Sequence, residues 1–151
     1  MIQWLICTLS LLFYAPAPLL QQGVRVATYS TGKINTDAYE GLSFWVKNDQ
    51  RAYIRYAHGK DDTEEIDLTW SGLEELNGVK AFRAQFPEPD TRRWYIIQKG
   101  ATLQVMNRAG SYGKVYAWEN ENASGDPTTT CSFCAQNEQE AMEIMKKYFF
   151  H

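Results

Sequence analysis

The sequence predicts a mainly β domain, in which an antiparallel meander of about eight strands forms a small barrel or curved half-barrel with one C-terminal α-helix packed on it. Short runs of alternating apolar and polar residues follow one another from Val24 onward, and turn residues separate these runs. A single apolar stripe with helical spacing occurs near the C-terminus. With 151 residues, 44% of them hydrophobic, the chain is long enough for one domain with its own core.

The first 23 residues differ in composition from the rest, because they contain no Asp, Glu, Lys or Arg. An apolar run at residues 4–14 is too short to span a bilayer, and Ala15-Pro16-Ala17-Pro18 follows it. We interpret residues 1–23 as a secretory signal peptide with an undetermined cleavage position, and residues 24–151 as the single mature domain. The protein is then secreted or periplasmic, with no stable membrane span in its mature form. A buried N-terminal helix and an uncleaved anchor are the alternatives.

Strands are predicted at residues 24–30, 41–47, 51–58, 64–71, 79–86, 92–98, 102–107 and 114–119. The breaks between them carry turn residues, such as Asn77-Gly78 and Lys99-Gly100. Alternation also assigns faces, since Ile54 and Tyr56 fall on one side of their strand. This arrangement resembles lipocalin-like folds in architecture alone, which by itself implies nothing about function.

The strand at 92–98 has large apolar side chains on both faces, so it is predicted to be covered on both sides. A C-terminal helix at residues 137–149 is the expected lid. Its apolar residues recur every three or four positions, and Asn137 with Glu140 forms the pattern of a capping box.

Cys131 and Cys134 are the only cysteines that follow residues 1–23. In an oxidising compartment a structural disulfide is the simplest outcome, and it would fix the turn that leads into the helix. A redox-active pair is the main alternative, because Cys-x-x-Cys spacing lowers the pKa of a thiol. A metal site has weaker support, since only His58 and His151 are available as imidazole ligands. No cofactor is predicted, and Ala135 after Cys134 excludes the usual haem attachment.

Two other polar segments have ordinary structural interpretations. The acidic cluster Asp61, Asp62, Glu64 and Glu65 is expected to be a solvated hairpin tip rather than a calcium site, because its spacing fits no calcium loop. The loop at 119–127 is expected to link sheet and helix, and Asn122 begins a glycosylation sequon. No nucleophile motif accompanies His58, and this observation favours a protein that is not an enzyme.

Aromatic residues in the predicted strands suggest a binding surface. The candidate ligand-binding residues are Trp45, Tyr53, Trp70, Trp94, Tyr116 and Trp118. We therefore predict a small exported non-enzymatic domain that binds an apolar or sugar ligand, or a protein partner, through an aromatic face or barrel mouth. The alternatives are a thiol-disulfide oxidoreductase and an envelope-associated structural or inhibitor protein. A net charge of −3 gives no reason to expect nucleic acid as a partner.

Overall fold

The computed structural model describes residues 23–62, 64–121 and 131–151. Its antiparallel strands form a closed barrel in sequence order, and β1 pairs with β8 to complete the closure. The strands are β1 (Val24–Thr31), β2 (Glu40–Lys47), β3 (Gln50–His58), β4 (Glu64–Leu76), β5 (Val79–Gln85), β6 (Arg93–Lys99), β7 (Thr102–Met106) and β8 (Gly113–Trp118). A turn of 3-10 helix (Lys60–Asp62) precedes β4, and the helix α1 (Glu138–Tyr148) follows the barrel. The predicted fold class is confirmed.

Strand β4 differs most from its prediction, because it continues past residue 71 to Leu76. The pairing of β4 with β5 shifts between Trp70 and Leu73, which interrupts the alternation that marks a strand. Within this bulge the Ser71 hydroxyl accepts a hydrogen bond from the backbone N–H of Arg83 at 3.1 Å. The strand then ends at the predicted Asn77-Gly78 turn, where both residues have positive φ values of 51° and 81°.

Large side chains fill the barrel interior. The fully buried ones are Tyr29, Tyr56, Tyr116, Phe44, Phe82, Phe86, Phe149, Leu42, Ile54, Ile96, Leu103 and Met145. Aromatic rings meet edge to face along this core, as between Phe44 and Phe82 with ring centroids 6.5 Å apart. The burial of Ile54 and Tyr56 confirms the predicted inner face of β3.

The helix α1 closes one end of the barrel. Asn137 is its N-cap, and the Asn137 side chain accepts from the backbone N–H of Glu140 at 2.8 Å. Just beyond the last helical turn, the Phe149 ring lies 5.1 Å from Phe44 and 5.7 Å from Trp70, measured between ring centroids. We call this the helix end of the barrel and the opposite one the open end.

The helix does not cover the outer face of β6, where a lid was predicted. The outward residues Tyr95 and Ile97 are each only 5% exposed, and together with Ala81 they form a separate cluster packed by Leu76 and Met106. The extension of β4 supplies part of this cover, because Leu76 lies beyond the predicted end of that strand. The buried residues of α1 instead join the interior core.

The closure between β1 and β8 is short. Only Tyr29 and Ser30 of β1 pair with β8, and one further bond joins the Glu119 N–H to the Thr28 carbonyl at 2.8 Å. The first half of β1 is completed by the segment that carries the cysteines, since the Ala135 N–H donates to the Val26 carbonyl at 2.9 Å. We call the region where β1 meets β8, residues 119–121 and residues 131–135 the seam.

Candidate functional site

The open end of the barrel contains a buried carboxylate surrounded by hydroxyl and amine donors. Glu40 begins β2, and its side chain is 10% exposed. Its Oε2 atom accepts hydrogen bonds from Lys114 Nζ at 2.8 Å, Tyr112 at 3.0 Å and Tyr116 at 3.3 Å. Its Oε1 atom accepts from the Tyr56 hydroxyl at 3.3 Å. These five residues, which we call the Glu40 cluster, come from β2, β3, β8 and the turn before β8.

Hydrogen bonding decides the charge of this cluster. Burial acts to raise the pKa of the Glu40 carboxyl, but the hydrogen bonds from Lys114 and the tyrosines outweigh it and hold the pKa below its ordinary value. Burial also raises the pKa of Tyr56, Tyr112 and Tyr116 above the ordinary value for a phenol. At neutral pH the Glu40 carboxylate is therefore ionised and the three tyrosine hydroxyls around it are neutral.

Aromatic rings hold the cluster in place. The Trp94 ring stacks on Tyr112 at 4.7 Å with an interplanar angle of 6°, and Tyr56 meets the same indole edge to face at 5.1 Å. The turn that carries Tyr112 is itself fixed, because the side-chain oxygen of Asn107 accepts from the Tyr112 N–H at 3.1 Å. The Asn107 amide also donates to Ser111 at 2.7 Å. The positions of these side chains are thus set before any ligand arrives.

A cleft of about 810 Å³ opens beside the Glu40 cluster. It runs over the rim between the start of β6 and the turn at residues 107–112. The basic residues that line it are Arg83, Arg92, Arg93, Arg108 and Lys114. Among the described residues that line the cleft, Glu40 is the one carboxylate, so a protein with a net charge of −3 presents a basic cleft at this rim. A cleft of this volume is within the range that small-molecule sites occupy.

Of the six aromatic candidates, only Trp94 and Tyr116 lie at the open end beside the Glu40 cluster. Trp70 lies at the helix end, where it contacts Phe82 and Phe149. Trp118 is half-buried where β8 meets β1, opposite Tyr29.

Trp45 and Tyr53 stack on each other on the outer surface, with ring centroids 5.1 Å apart and Arg55 beside both rings. The candidates therefore do not form one continuous aromatic face. Both Trp94 and Tyr116 are buried, at 3% and 0% exposed, which leaves little of either ring for a ligand to stack on.

The seam is a second polar site. The structure joins Cys131 and Cys134 in a disulfide with Cα atoms 5.3 Å apart. The Cys134 Sγ atom lies 2.9 Å from Oε2 of Glu121, whose side chain is 12% exposed. The other Glu121 oxygen accepts from the Thr28 hydroxyl at 2.7 Å, and Arg25 lies 3.1 Å from Oε2.

Burial governs the protonation of Glu121. It raises the pKa of this carboxyl, and the nearby Glu119 acts in the same direction, so the net shift is upward despite the opposing effects of Thr28 and Arg25. Among the described residues, Glu121, Cys131 and Cys134 form the group whose potential metal-ligand atoms lie within 4.8 Å of one another. A carboxylate beside two sulfurs can accept a proton from a thiol when the disulfide is reduced.

The remaining sequence candidates have the following positions. His58 stacks on Tyr56, and its Nδ1 atom lies 3.5 Å from Glu64, which also contacts Arg92. The acidic cluster around Glu64 is thus partly used in ion pairs. Asn122, most of the loop at 119–127 and residues 1–22 lie outside the described residues.

Sequence reasoning missed Glu40, Tyr112, Lys114, Glu121, Arg93 and Arg108. One signal was available, because Arg92-Arg93-Trp94 places two guanidinium groups beside an indole at a strand end. The other residues are separated in the sequence and meet only after the barrel closes.

The comparisons with known proteins identify no relative. No protein-family model, curated protein or solved structure matches the chain. Within the described ranges, no helix has the length and apolar character needed to cross a membrane.

Proposed function

We propose that this protein is an exported binding domain that holds a small molecule in the rim cleft at the open end of its barrel. The observation that carries the proposal is the cleft itself, about 810 Å³ in volume, beside the Glu40 cluster. Binding inside the barrel has less support, because aromatic side chains already occupy the interior. The rim is where polar groups, exposed stems of basic side chains and a fixed turn coincide.

The cleft is suited to binding because its parts are preorganised. Tyr112 is held by its stack on Trp94 and by hydrogen bonds to Glu40 and Asn107, so ordering it costs little on binding. The proposal assigns no reaction to the site. Glu40 already accepts four hydrogen bonds, and nothing in its surroundings favours a role as a general base.

A steric variant tests the location of the site. Ala109 lines the cleft and is exposed, so Ala109→Trp should fill part of it without disturbing the core. Ala38 is also exposed at the open end but does not line the cleft, which makes Ala38→Trp the matched control. A fragment screen by ligand-observed NMR should give hits that bind the parent and Ala38→Trp but not Ala109→Trp. Equal binding of all hits to the three proteins would refute the rim site.

Export is part of the proposal, and the uncharged N-terminal composition and the cysteine pair support it. Intact-mass measurement of the exported product should show the loss of roughly 17 to 23 residues, the usual size of a signal peptide. A full-length exported product would contradict this interpretation.

Thiol-disulfide exchange is a second candidate function, favoured by the contact of 2.9 Å between Glu121 and Cys134. In the reduced pair, the Cys131 thiolate would attack a substrate disulfide and release one substrate thiol. The Cys134 thiol would pass its proton to Glu121, and its thiolate would attack the Cys131 sulfur, which restores the protein disulfide and releases the second thiol. The more exposed cysteine thus attacks and the buried one resolves.

An insulin-reduction assay with a dithiol donor tests this second function. If it is correct, Cys131→Ser abolishes turnover, and Glu121→Gln lowers the rate and changes its pH profile. A parent protein that is no faster than the donor alone would refute it and leave a structural role for the disulfide.

A further inference from the structure

The rim cleft concentrates positive charge on an acidic protein. Of the 15 Lys and Arg residues in the chain, five line this cleft, against a single carboxylate within the described part of the chain. Three of the five have acidic partners. Lys114 contacts Glu40 at 2.8 Å, Arg92 contacts Asp90 at 2.7 Å, and Arg83 lies 3.8 Å from Glu74.

Arg93 and Arg108 differ from the other three, since neither has an acidic partner in the part of the chain that the structure describes. Both are exposed at the cleft. Arg93 begins β6 and is held by backbone pairing with Gln85, while Arg108 sits in the fixed turn with its guanidinium 5.6 Å from the Tyr95 ring. Their backbones are therefore anchored while their charges remain available.

Glu40 does not cancel this charge. Its four hydrogen bonds satisfy both carboxylate oxygens, and its nearest cation is Lys114. An anion entering the cleft would meet the guanidinium groups, whose paired N–H donors match the oxygens of a carboxylate or phosphate. A neutral sugar would lack the ion pairing that strengthens these hydrogen bonds, an apolar ligand would make none of them, and the buried Trp94 ring has little surface to offer either ligand.

We propose that the rim cleft binds the oxyanion group of a small carboxylate or phosphate compound, with Arg93 and Arg108 as its ligands. This inference rests on the proposed function, since it names the chemical class for the same cleft. The volume suits a small molecule, and the interior behind the cleft is filled, so the anion lies at the rim.

The test uses the purified protein and three probes: inorganic phosphate, benzoate and the neutral analogue benzamide. Backbone amide shifts in NMR titrations give both location and affinity. Phosphate or benzoate should shift amides at the start of β6 and in the turn at 107–112, and benzamide should bind at least tenfold more weakly than benzoate. A response to phosphate alone identifies a phosphate site, and a response to benzoate alone identifies a carboxylate site.

Paired charge variants separate a specific site from general attraction. Arg93→Gln with Arg108→Gln should weaken anion binding at least tenfold, which corresponds to about 1.4 kcal/mol. The control is Lys33→Gln with Lys99→Gln, which removes the same formal charge from exposed positions outside the cleft and should change affinity less than twofold. Equal melting temperatures for the variants exclude unfolding as the cause.

Two outcomes would overturn the inference and remain distinguishable. If benzamide binds the cleft as well as benzoate does, and the arginine variant has no effect, the cleft is a binding site but not for an anion. If no probe, charged or neutral, shifts cleft amides and the fragment screen also finds no cleft ligand, the proposed function fails as well.

Discussion

Replacing Phe149 by Ala should test whether the helix end of the barrel depends on one inserted ring. Phe149 is 0% exposed and packs against Phe44 and Trp70 at centroid distances of 5.1 and 5.7 Å. Truncation of a buried Phe to Ala costs about 3–5 kcal/mol, which combines lost transfer free energy with the cavity left behind. Because domains of this size unfold with roughly 5–15 kcal/mol, the variant should lose a large fraction of its stability.

Urea unfolding monitored by far-UV circular dichroism and tryptophan fluorescence measures this loss. With m-values of about 1–3 kcal/mol per M for small proteins, the midpoint should fall by at least about 1 M at unchanged m. Trp70 contacts the Phe149 ring, so the emission of the folded state should also change. Phe133→Ala is the matched control, since Phe133 is 65% exposed and its loss should cost less than about 0.5 kcal/mol.

A cost below about 1 kcal/mol for Phe149→Ala would refute the argument, because a ring that fills the barrel end cannot be removed so cheaply. Deleting residues 137–151 extends the test. That truncation should uncover Phe44 and Trp70 and produce aggregation or strong dye binding. A soluble truncated protein as stable as the parent would show that the helix does not close the barrel.

Three further predictions concern the polar sites. Because the folded-state pKa of Glu40 is lowered, its ionisation stabilises the fold above the ordinary carboxyl pKa of 4.5, and this stability is lost as pH falls through the folded-state value. Glu40→Gln should therefore cost about 1–3 kcal/mol at pH 7, and the cost should shrink progressively as pH falls below 4.5 and through the folded-state value, as measured by urea unfolding across pH. The pKa of Glu121 is raised, so the parent should gain stability as pH falls from the raised value toward 4.5, and Glu121→Gln should remove that part of the pH dependence. Replacing Cys131 and Cys134 together by Ser should cost on the order of 2 kcal/mol or less, because the closed loop is short; a larger loss in thermal unfolding would show that the disulfide does more than fix the seam.

The sequence predicted those parts of the fold that depend on neighbouring residues. Alternation located the strands, Asn77-Gly78 marked a hairpin turn, and Asn137 marked the helix start, since each signal arises within a few positions of the chain. The end of β4 was missed because the bulge after Trp70 breaks the period on which the prediction depends. The prediction that the helix covers the outer face of β6 was wrong for a related reason, since the unpredicted part of β4 supplies some of that cover.

The candidate site could not be predicted in the same way. Glu40 meets Tyr56 across 16 positions of the chain, Tyr112 across 72 and Lys114 across 74. No local pattern connects these residues, because only the closure of the barrel places β8 and its turn beside the start of β2. The basic cleft depends on the same closure, so basic residues that look scattered in the sequence lie together in space.

The two buried glutamates make pH a means of separating the two proposed functions. Glu40 and Glu121 are both nearly inaccessible, yet their pKa values shift in opposite directions. A lysine and three hydroxyls donate to Glu40, whereas Glu121 has fewer donors and a second carboxylate, Glu119, nearby. The Glu40 carboxyl therefore keeps its negative charge around neutral pH, and it should introduce no pH dependence there into the binding of a probe that stays ionised. Thiol exchange at the seam would vary with the protonation of Glu121. A pH-dependent exchange rate alongside pH-independent anion binding would therefore assign exchange to the seam and anion binding to the rim cleft, because the donors around the two carboxylates differ.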